Sequence, residues 1–386
     1  MSSSCTKPFS LLPQKLLLAS PPGYAGNCVR LLVDGEAAYP AMLEGIAQAR
    51  HSIALESYIL AADATGSRFV AALTAAARRG VAVRVLIDGI GSLGTPAAFF
   101  SSLTAAGGEV AVFSPPFAWP PSLLLWQRDH RKLLVIDQAQ AFIGGLNIGD
   151  AYAPQAWGGA AWHDTHALLH GPVAHGLARL FARTWLRQTQ KVWQLPIPPP
   201  LRSPGQTFVR LLESRLTQRY SIRRAYLQAI VQAQQRICIC NAYCIPDRGI
   251  LRALRNACGR GVQVQLLLAG TTDVRAVQHA SRALYREMLA WGVQIWEWQG
   301  PVLHAKSAVI DGTWCSLGSY NMDRRSLLHN LEANIACEDA ALGTQMVTQF
   351  TADLQHSHRV EHAHWHRRPL LQKFLEKFWY KLRYLL

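Results

Sequence analysis

One hydrophobic pattern occurs twice along the chain. The apolar run ARHSIALESYIL, starting at Ala49, is followed by a segment of helical spacing and then by RRGVAVRVLIDG. The run AQQRICICNAYCIP, starting at Ala233, is followed by a similar segment and then by GRGVQVQLLLAG. Each unit reads as an apolar strand, an amphipathic helix ending at glycine, and a second apolar strand. That order predicts a βαβ unit whose parallel pair is buried on both faces. Arg79-Gly80-Val81 corresponds to Arg260-Gly261-Val262, an offset of 181 residues.

The repeat returns further along. HRKLLVIDQAQAFIGGLN at 130–147 matches HAKSAVIDGTWCSLGSYN at 304–321, an offset of 174. Small loop insertions account for the changed offset. Between the copies lies QLPIPPPLRSPGQ, whose prolines predict an extended, semi-rigid linker. The expected organisation is an N-terminal extension (1–24), a first half (25–195), a linker (196–205), a second half (206–350) and a tail (351–386). The expected fold is two homologous α/β/α halves with mixed, mostly parallel sheets. They would pack about a pseudo-two-fold axis with the active site at their interface.

Residues 130–147 also read as a hairpin. A two-residue loop at Gln138-Ala139 sets His130 opposite Asn147 and Lys132 opposite Gly145. In the second copy, with a loop at Gly312-Thr313, His304 faces Asn321 and Lys306 faces Ser319. Side chains alternate along a strand, so a His and a Lys two apart share a face. Each copy is expected to present His, Lys and Asn together. The small residues opposite each Lys would leave room for a bulky oxyanion.

Composition adds the sign of the partner. Half of the 386 residues are apolar and only 16% are charged, so the chain can bury sizeable cores. Its 39 Lys and Arg outnumber 24 Asp and Glu, a formal +15, which points to an anionic partner. Eight cysteines are too few for a disulfide scaffold. Cys238, Cys240 and Cys244 read as buried, reduced thiols rather than a zinc site. No apolar run reaches the ~20 residues of a membrane-spanning helix. The N-terminal stretch Leu16–Ala19 is too short for a signal-peptide core.

The duplicated residues suit phosphodiester chemistry. Two lysines and two asparagine amides can hold charge on nonbridging oxygens without a metal. One neutral imidazole can attack phosphorus, and a second, protonated, can donate to the leaving oxygen. Such chemistry needs two histidines in different protonation states, which gives the duplication a purpose. The chain has only eight lysines, and two of them stand at equivalent motif positions.

HxKxxxxD followed by GG/GSxN, present twice, resembles the phospholipase D superfamily. The likeness covers about 28–340. It is greatest to bacterial cardiolipin synthases of the type lacking transmembrane helices, through VRLLVDGEAAYPAMLEGIAQARHSIALESYIL, LLHGPV, NAYCIPD and SLLHNLEAN. The resemblance implies that His130 is the nucleophile and His304 the acid/base. Lys132, Lys306, Asn147 and Asn321 would bind the phosphoryl oxygens. Asp137 and Asp311 complete the catalytic motifs by shaping them. Each histidine would need a carboxylate on its other ring nitrogen: Glu332 for His130, and Asp164 for His304, across the halves. No metal or cofactor is implied.

Two segments suggest contact with lipid. The tail PLLQKFLEKFWYKLRYLL repeats Leu370, Phe374, Phe378, Leu382 and Leu386 every four residues, beside a stripe of Lys373, Lys377 and Lys381. That is the pattern of a basic amphipathic helix at a bilayer interface, or of a helix docked on its own domain. Residues 356–386 hold seven Lys/Arg and two Asp/Glu, so +5 of the excess lies there. The proline-rich apolar segment 113–126 would admit acyl chains beside His130. The histidines between His356 and His366 read as a solvated run. The expected activity is phosphatidyl transfer between two phosphatidylglycerols through a phosphohistidine, releasing glycerol. Hydrolysis of phospholipid, or cleavage of DNA or RNA, is the alternative. The expected partner is an anionic phospholipid membrane, with no nucleic acid and no obligate protein. The expected place is the cytosol-facing surface of the inner membrane, held peripherally.

Overall fold

A computed structural model describes residues 22–116, 127–195, 204–215, 220–365 and 367–384. Most of the N-terminal extension, most of the linker and residues 117–126 of the apolar segment lie outside the described residues. The first half runs β1 (Gly23–Val33), α1 (Asp34–Gln48), β2 (Ser52–Ser57), α2 (Ala64–Arg78), β3 (Ala82–Asp88), α3 (Ser101–Ala105), β4 (Glu109–Phe113), β5 (Leu133–Ile136), β6 (Gln140–Gly144), β7 (Thr165–His170) and α4 (Pro172–Thr189). The second runs β8 (Thr207–Ser214), α5 (Ser221–Gln232), β9 (Arg236–Asn241), α6 (Arg248–Gly259), β10 (Gln263–Ala269), α7 (Arg275–Arg282), α8 (Tyr285–Ala290), β11 (Gln294–Trp298), β12 (Lys306–Ile310), β13 (Trp314–Gly318), α9 (Arg324–Leu328), β14 (Glu332–Glu338) and α10 (Ala340–Gln355). Then come β15 (Ser357–Arg359), α11 (His362–Trp365) and α12 (Leu370–Lys381).

The repeated Arg-Gly-Val explains why both βαβ units close alike. Asp63 and Asp247 cap the helix starts by accepting from the amides of Gly66 and Gly249. Gly80 and Gly261 end the helices in the left-handed region, with φ of +87° and +86°. Arg79 then donates to the carbonyls of Ile46 and Ala49, and Arg260 to those of Ile230 and Ala233. Each arginine thereby serves the C-terminal end of the preceding helix, where cations are favoured.

The strand order is the same in both halves, β4-β3-β2-β5-β6-β7-β1 and β11-β10-β9-β12-β13-β14-β8. Antiparallel pairing of β1 with β8 joins them, and β15 extends the second edge, giving fifteen strands in one sheet. A boundary at 350 therefore cuts α10, and the second half continues through the edge strand β15. Only β2-β3-β4 and β9-β10-β11 run parallel; the other neighbours are antiparallel. The α/β halves are as expected, but the sheets are not mostly parallel. Each motif is a hairpin, and a hairpin forces antiparallel neighbours.

The hairpin register differs from the expected one by one residue. Leu133 pairs with Ile143 and Ile136 with Gln140, which leaves Asp137, Gln138 and Ala139 as a three-residue loop. Ser307 pairs with Leu317 and Ile310 with Trp314, leaving Asp311, Gly312 and Thr313. Both aspartates take positive φ, 50° at Asp137 and 51° at Asp311. Each carboxylate explains that conformation. Asp137 accepts from the amides of Arg50, His51 and Ser52, and Asp311 from those of Gln234, Gln235 and Arg236. The motif aspartates thus tie the hairpin turn to the start of the neighbouring strand.

The core has three layers. The inner faces of both halves, with α4 and α10, share one cluster that includes Phe181, Trp185, Leu317 and Phe350. The outer helices of each half cover the opposite faces. His163 adds a polar link between halves. Its Nδ1 lies 2.8 Å from Asp34, its Nε2 lies 3.1 Å from Asp353 on α10, and its ring stacks on Trp298 of β11 at 4.5 Å. Burial works against a charged ring here, but the bonds to Asp34 and Asp353 outweigh it and raise its pKa from 6.5 to about 10.

Two stability outcomes follow. Asp311→Ala leaves three amides without their acceptor and should cost about 2 kcal/mol, read as a lower denaturant midpoint. For His163 the folded pKa is raised, so its stabilisation is complete below about 6.5 and is lost as pH climbs through about 10. The unfolding midpoint of His163→Gln should lie below wild type at the acid end of that window and converge on it at the alkaline end. A constant gap would contradict the charged bridge.

Candidate active site

Each motif enters its hairpin through a short bridge to the other half. His130 donates its amide to the Leu331 carbonyl, and Leu331 returns a bond to Arg128. His304 donates to the His163 carbonyl, and His163 returns a bond to Val302. Leu331 immediately precedes Glu332, and His163 immediately precedes Asp164. The backbone therefore delivers an acid from one half to a histidine of the other.

The side chains complete this exchange. His130 Nδ1 lies 3.1 Å from both carboxylate oxygens of Glu332. His304 Nδ1 lies 2.7 Å from Asp164 Oδ2. Both acids are fully buried, and His130 and His304 nearly so. Asp34 fixes the Asp164 segment by accepting from the Asp164 amide and donating its own amide to the Asp164 carbonyl.

The two pairs differ electrostatically. Burial pushes the Glu332 carboxyl up, but His130, Lys132 and the Ser319 hydroxyl hold it below the ordinary value. Burial raises Asp164 to about 7, against the pull of Lys306. Burial lowers His130, with Glu332 opposing. Burial, followed by Lys306 and Lys132, lowers His304 well below the usual range. An ionised Glu332 requires a proton on His130 Nδ1, so His130 Nε2 keeps its lone pair. Where Asp164 is protonated it can donate to His304 Nδ1, an arrangement that leaves the proton of His304 on Nε2.

Lys132 and Lys306 are buried between these pairs. Lys132 donates to the His130 carbonyl at 2.6 Å and lies 5.1 Å from the centre of the Tyr58 ring. Lys306 donates to the His304 carbonyl and lies 2.9 Å from His304 Nδ1. Burial lowers both, Lys132 to about 7. An arriving phosphodiester would compensate that burial and recharge them.

Asn147 is buried, accepting from the Ile59 amide and donating to the Tyr152 hydroxyl at 2.7 Å. Asn321 is buried with its Oδ1 atom unpartnered. Asp137 and Asp311 sit at the hairpin turns, bound to backbone and away from the histidine–acid pairs. The small residues serve a purpose other than the expected one. A Cβ on Gly145 would lie 2.2 Å from Asp164, and Ser319 donates its hydroxyl to Glu332. The space beside each motif is taken by the partner acid, not left for an oxyanion.

Several residues at the site escaped the sequence reading. Tyr58 meets His130 edge-on at 5.0 Å, and Tyr152 meets His304 at 5.2 Å. Tyr58 stands just after β2 and Tyr243 just after the equivalent β9, so the repeat itself could have flagged Tyr58. Arg131 forms a buried network with Asp129 and Glu56 beneath the first motif. Nothing in its spacing distinguishes Arg131 from a surface arginine. Among the described residues no group of three His, Cys, Asp or Glu is arranged to hold a metal ion. Cys238, Cys240 and Cys244 are buried free thiols.

Comparison with known proteins agrees with this architecture. The family described as "Cardiolipin synthase, PLD-like domain" matches residues 42–185 and 226–354. Cardiolipin synthase of Geobacillus thermodenitrificans is 34% identical over 353 residues, covering 90% of this chain and 70% of that protein. Cardiolipin synthase B of Escherichia coli K12 is 37% identical over 325 residues, covering 81% and 77%. Phosphatidylserine synthase of Haemophilus influenzae shares the fold, with a TM-score of 0.74 at 14% identity over 93% of this chain and 95% of that one. The chain belongs to the cardiolipin synthase family of phospholipase D-like phosphatidyltransferases.

Proposed function

We propose that this enzyme makes cardiolipin from two phosphatidylglycerols through a phosphohistidine on His130. The observation that carries the mechanism is the unequal pairing of the two histidines with Glu332 and Asp164. His130 Nε2, with its lone pair free, attacks phosphorus. The P–N bond forms as the bond to the terminal glycerol oxygen breaks. His304 Nε2 gives its proton to that oxygen, glycerol leaves, and Asp164 restores the proton at Nδ1. The hydroxyl of a second phosphatidylglycerol then loses its proton to His304 and attacks phosphorus. His130 is released, and cardiolipin is the product.

Lys132, Lys306, Asn147 and Asn321 hold the nonbridging oxygens in this scheme. Charge developing on phosphorus in a water-poor site is stabilised far more by fixed donors than by solvent. The names of the relatives support cardiolipin as the product, and two phosphatidylglycerols yield it with loss of glycerol; a lipid substrate of this kind would be met at a membrane surface. Among the described residues no helix is long and apolar enough to cross a membrane, which supports peripheral attachment.

Lipid extracts give the direct test. Cells lacking other synthases should accumulate cardiolipin with the wild-type enzyme and none with His130→Ala; equal amounts would refute the mechanism. Glu332→Gln should lower turnover by about 10²–10⁴-fold, as loss of a histidine-orienting acid does. Gly145→Ala sets a Cβ against Asp164 and should cost activity by displacing that acid from His304. On the alkaline side, kcat/KM should fall as pH passes about 7, where Asp164 gives up its proton. Lys132 also loses its proton near 7, so Asp164→Asn should make that limb shallower rather than remove it, and a limb unchanged in this variant would contradict the assignment.

A further inference from the structure

We propose that the outward face of α12 is a docking surface for an anionic lipid bilayer. This inference rests on the lipid substrate proposed above. It adds the part of the chain that meets the membrane and the side the enzyme turns toward it.

The helix has two unlike faces. Trp379 and Tyr380 pack against the second-half core, and Glu376 is buried and paired with Arg368. Arg368 also lies over Trp365, whose ring stacks on Tyr285 at 4.9 Å. These contacts hold the helix on the body of the enzyme. The opposite face is uncovered: Leu370 is 82% exposed, Leu371 69%, Phe374 64% and Phe378 44%. Clustered large apolar side chains at such exposure mark an interaction site.

Charge selects the occupant. Glu376 is the only acid on α12, and it is turned inward to Arg368. Lys377 and Lys381 are exposed beside the apolar residues, with Lys373 half-buried on the same flank. The uncovered face therefore carries cations and aliphatic or aromatic groups, with no acid of its own helix. Apolar groups rimmed by lysines match acyl chains beneath anionic headgroups. A second copy of this face would bring lysines against lysines, so self-association is disfavoured.

Position joins this surface to the chemistry. Beyond the helix, Tyr384 lies over the Arg324 guanidinium at 3.9 Å. Arg324 opens α9, three residues after Asn321. The end of α12 thus reaches the segment that follows the second motif. A bilayer seated on α12 would therefore lie on the side of the molecule that carries α9.

Flotation of the full chain with phosphatidylcholine vesicles, with and without phosphatidylglycerol, tests the surface. Wild type should float with the anionic vesicles. The variant L370E/F374E/F378E should bind them at least ~10-fold more weakly. K377Q/K381Q should also bind weakly and lose most of the salt dependence. Turnover of short-chain phosphatidylglycerol in detergent micelles should stay within about twofold of wild type in both variants, which also shows that they fold. Undiminished flotation of the triple variant, or no flotation of wild type, overturns the proposal. A wild-type dimer that the triple variant disperses overturns it too, since the face would then be a homotypic contact. Wild type that floats but is inactive in micelles would sink the catalytic reading and leave the surface standing.

Discussion

Every feature of the centre depends on one constraint: neither half can complete its own histidine. The imidazole of His130 finds its acid at Glu332, and that of His304 at Asp164, each across the boundary between halves. A buried imidazole without a partner on Nδ1 would have an undefined tautomer. The halves must dock before either histidine has a defined role. This accounts for the investment in their interface. The shared inner core, the β1–β8 pairing, the paired backbone bridges and the His163 link all fix one relative placement.

Burial is the second determinant, and it acts on every charged group in the centre. Desolvation opposes the ammonium of each lysine, the carboxylate of each acid and the imidazolium of each histidine. An anion arriving among these groups relieves the lysines most, because it replaces the stabilisation of their charge that was lost with their water. In the proposed mechanism, binding a phosphodiester and charging its lysines are therefore coupled. Water would weaken both, since the attraction between unit charges falls in proportion to the local dielectric.

What was legible in the sequence follows from how local each signal is. The βαβ units and the hairpins are encoded within a few dozen residues, and the internal repeat made them readable twice. The hairpin register was misread because Asp137 and Asp311 look like strand residues until their positive φ and backbone bonds are seen. The role of Gly145 was misread for a related reason: the group filling its space comes from another strand. Which acid meets which histidine is not readable from spacing at all. The Glu332 contact with His130 spans 202 residues, and only family resemblance bridges such a distance. The Tyr58 contact belongs between these extremes, since the repeat carries it but its chemistry shows only in three dimensions.

A duplicated scaffold would ordinarily make two equivalent sites, whereas transfer through a covalent intermediate needs two unequal histidines. The inequality here comes from a few side chains. Glu332 accepts from Ser319 and Asn330 as well as His130, and those bonds favour its ionised form. Asp164 stands where Gly145 replaces that serine, and its further bond is from the Thr165 amide. With fewer donors and equal burial, Asp164 is pushed up while Glu332 is held down. The glycine that makes room for Asp164 also withholds the hydroxyl that would ionise it. In the proposed mechanism, one Gly/Ser difference between the repeats thus separates the histidine that attacks from the histidine that donates, with the backbone symmetry intact.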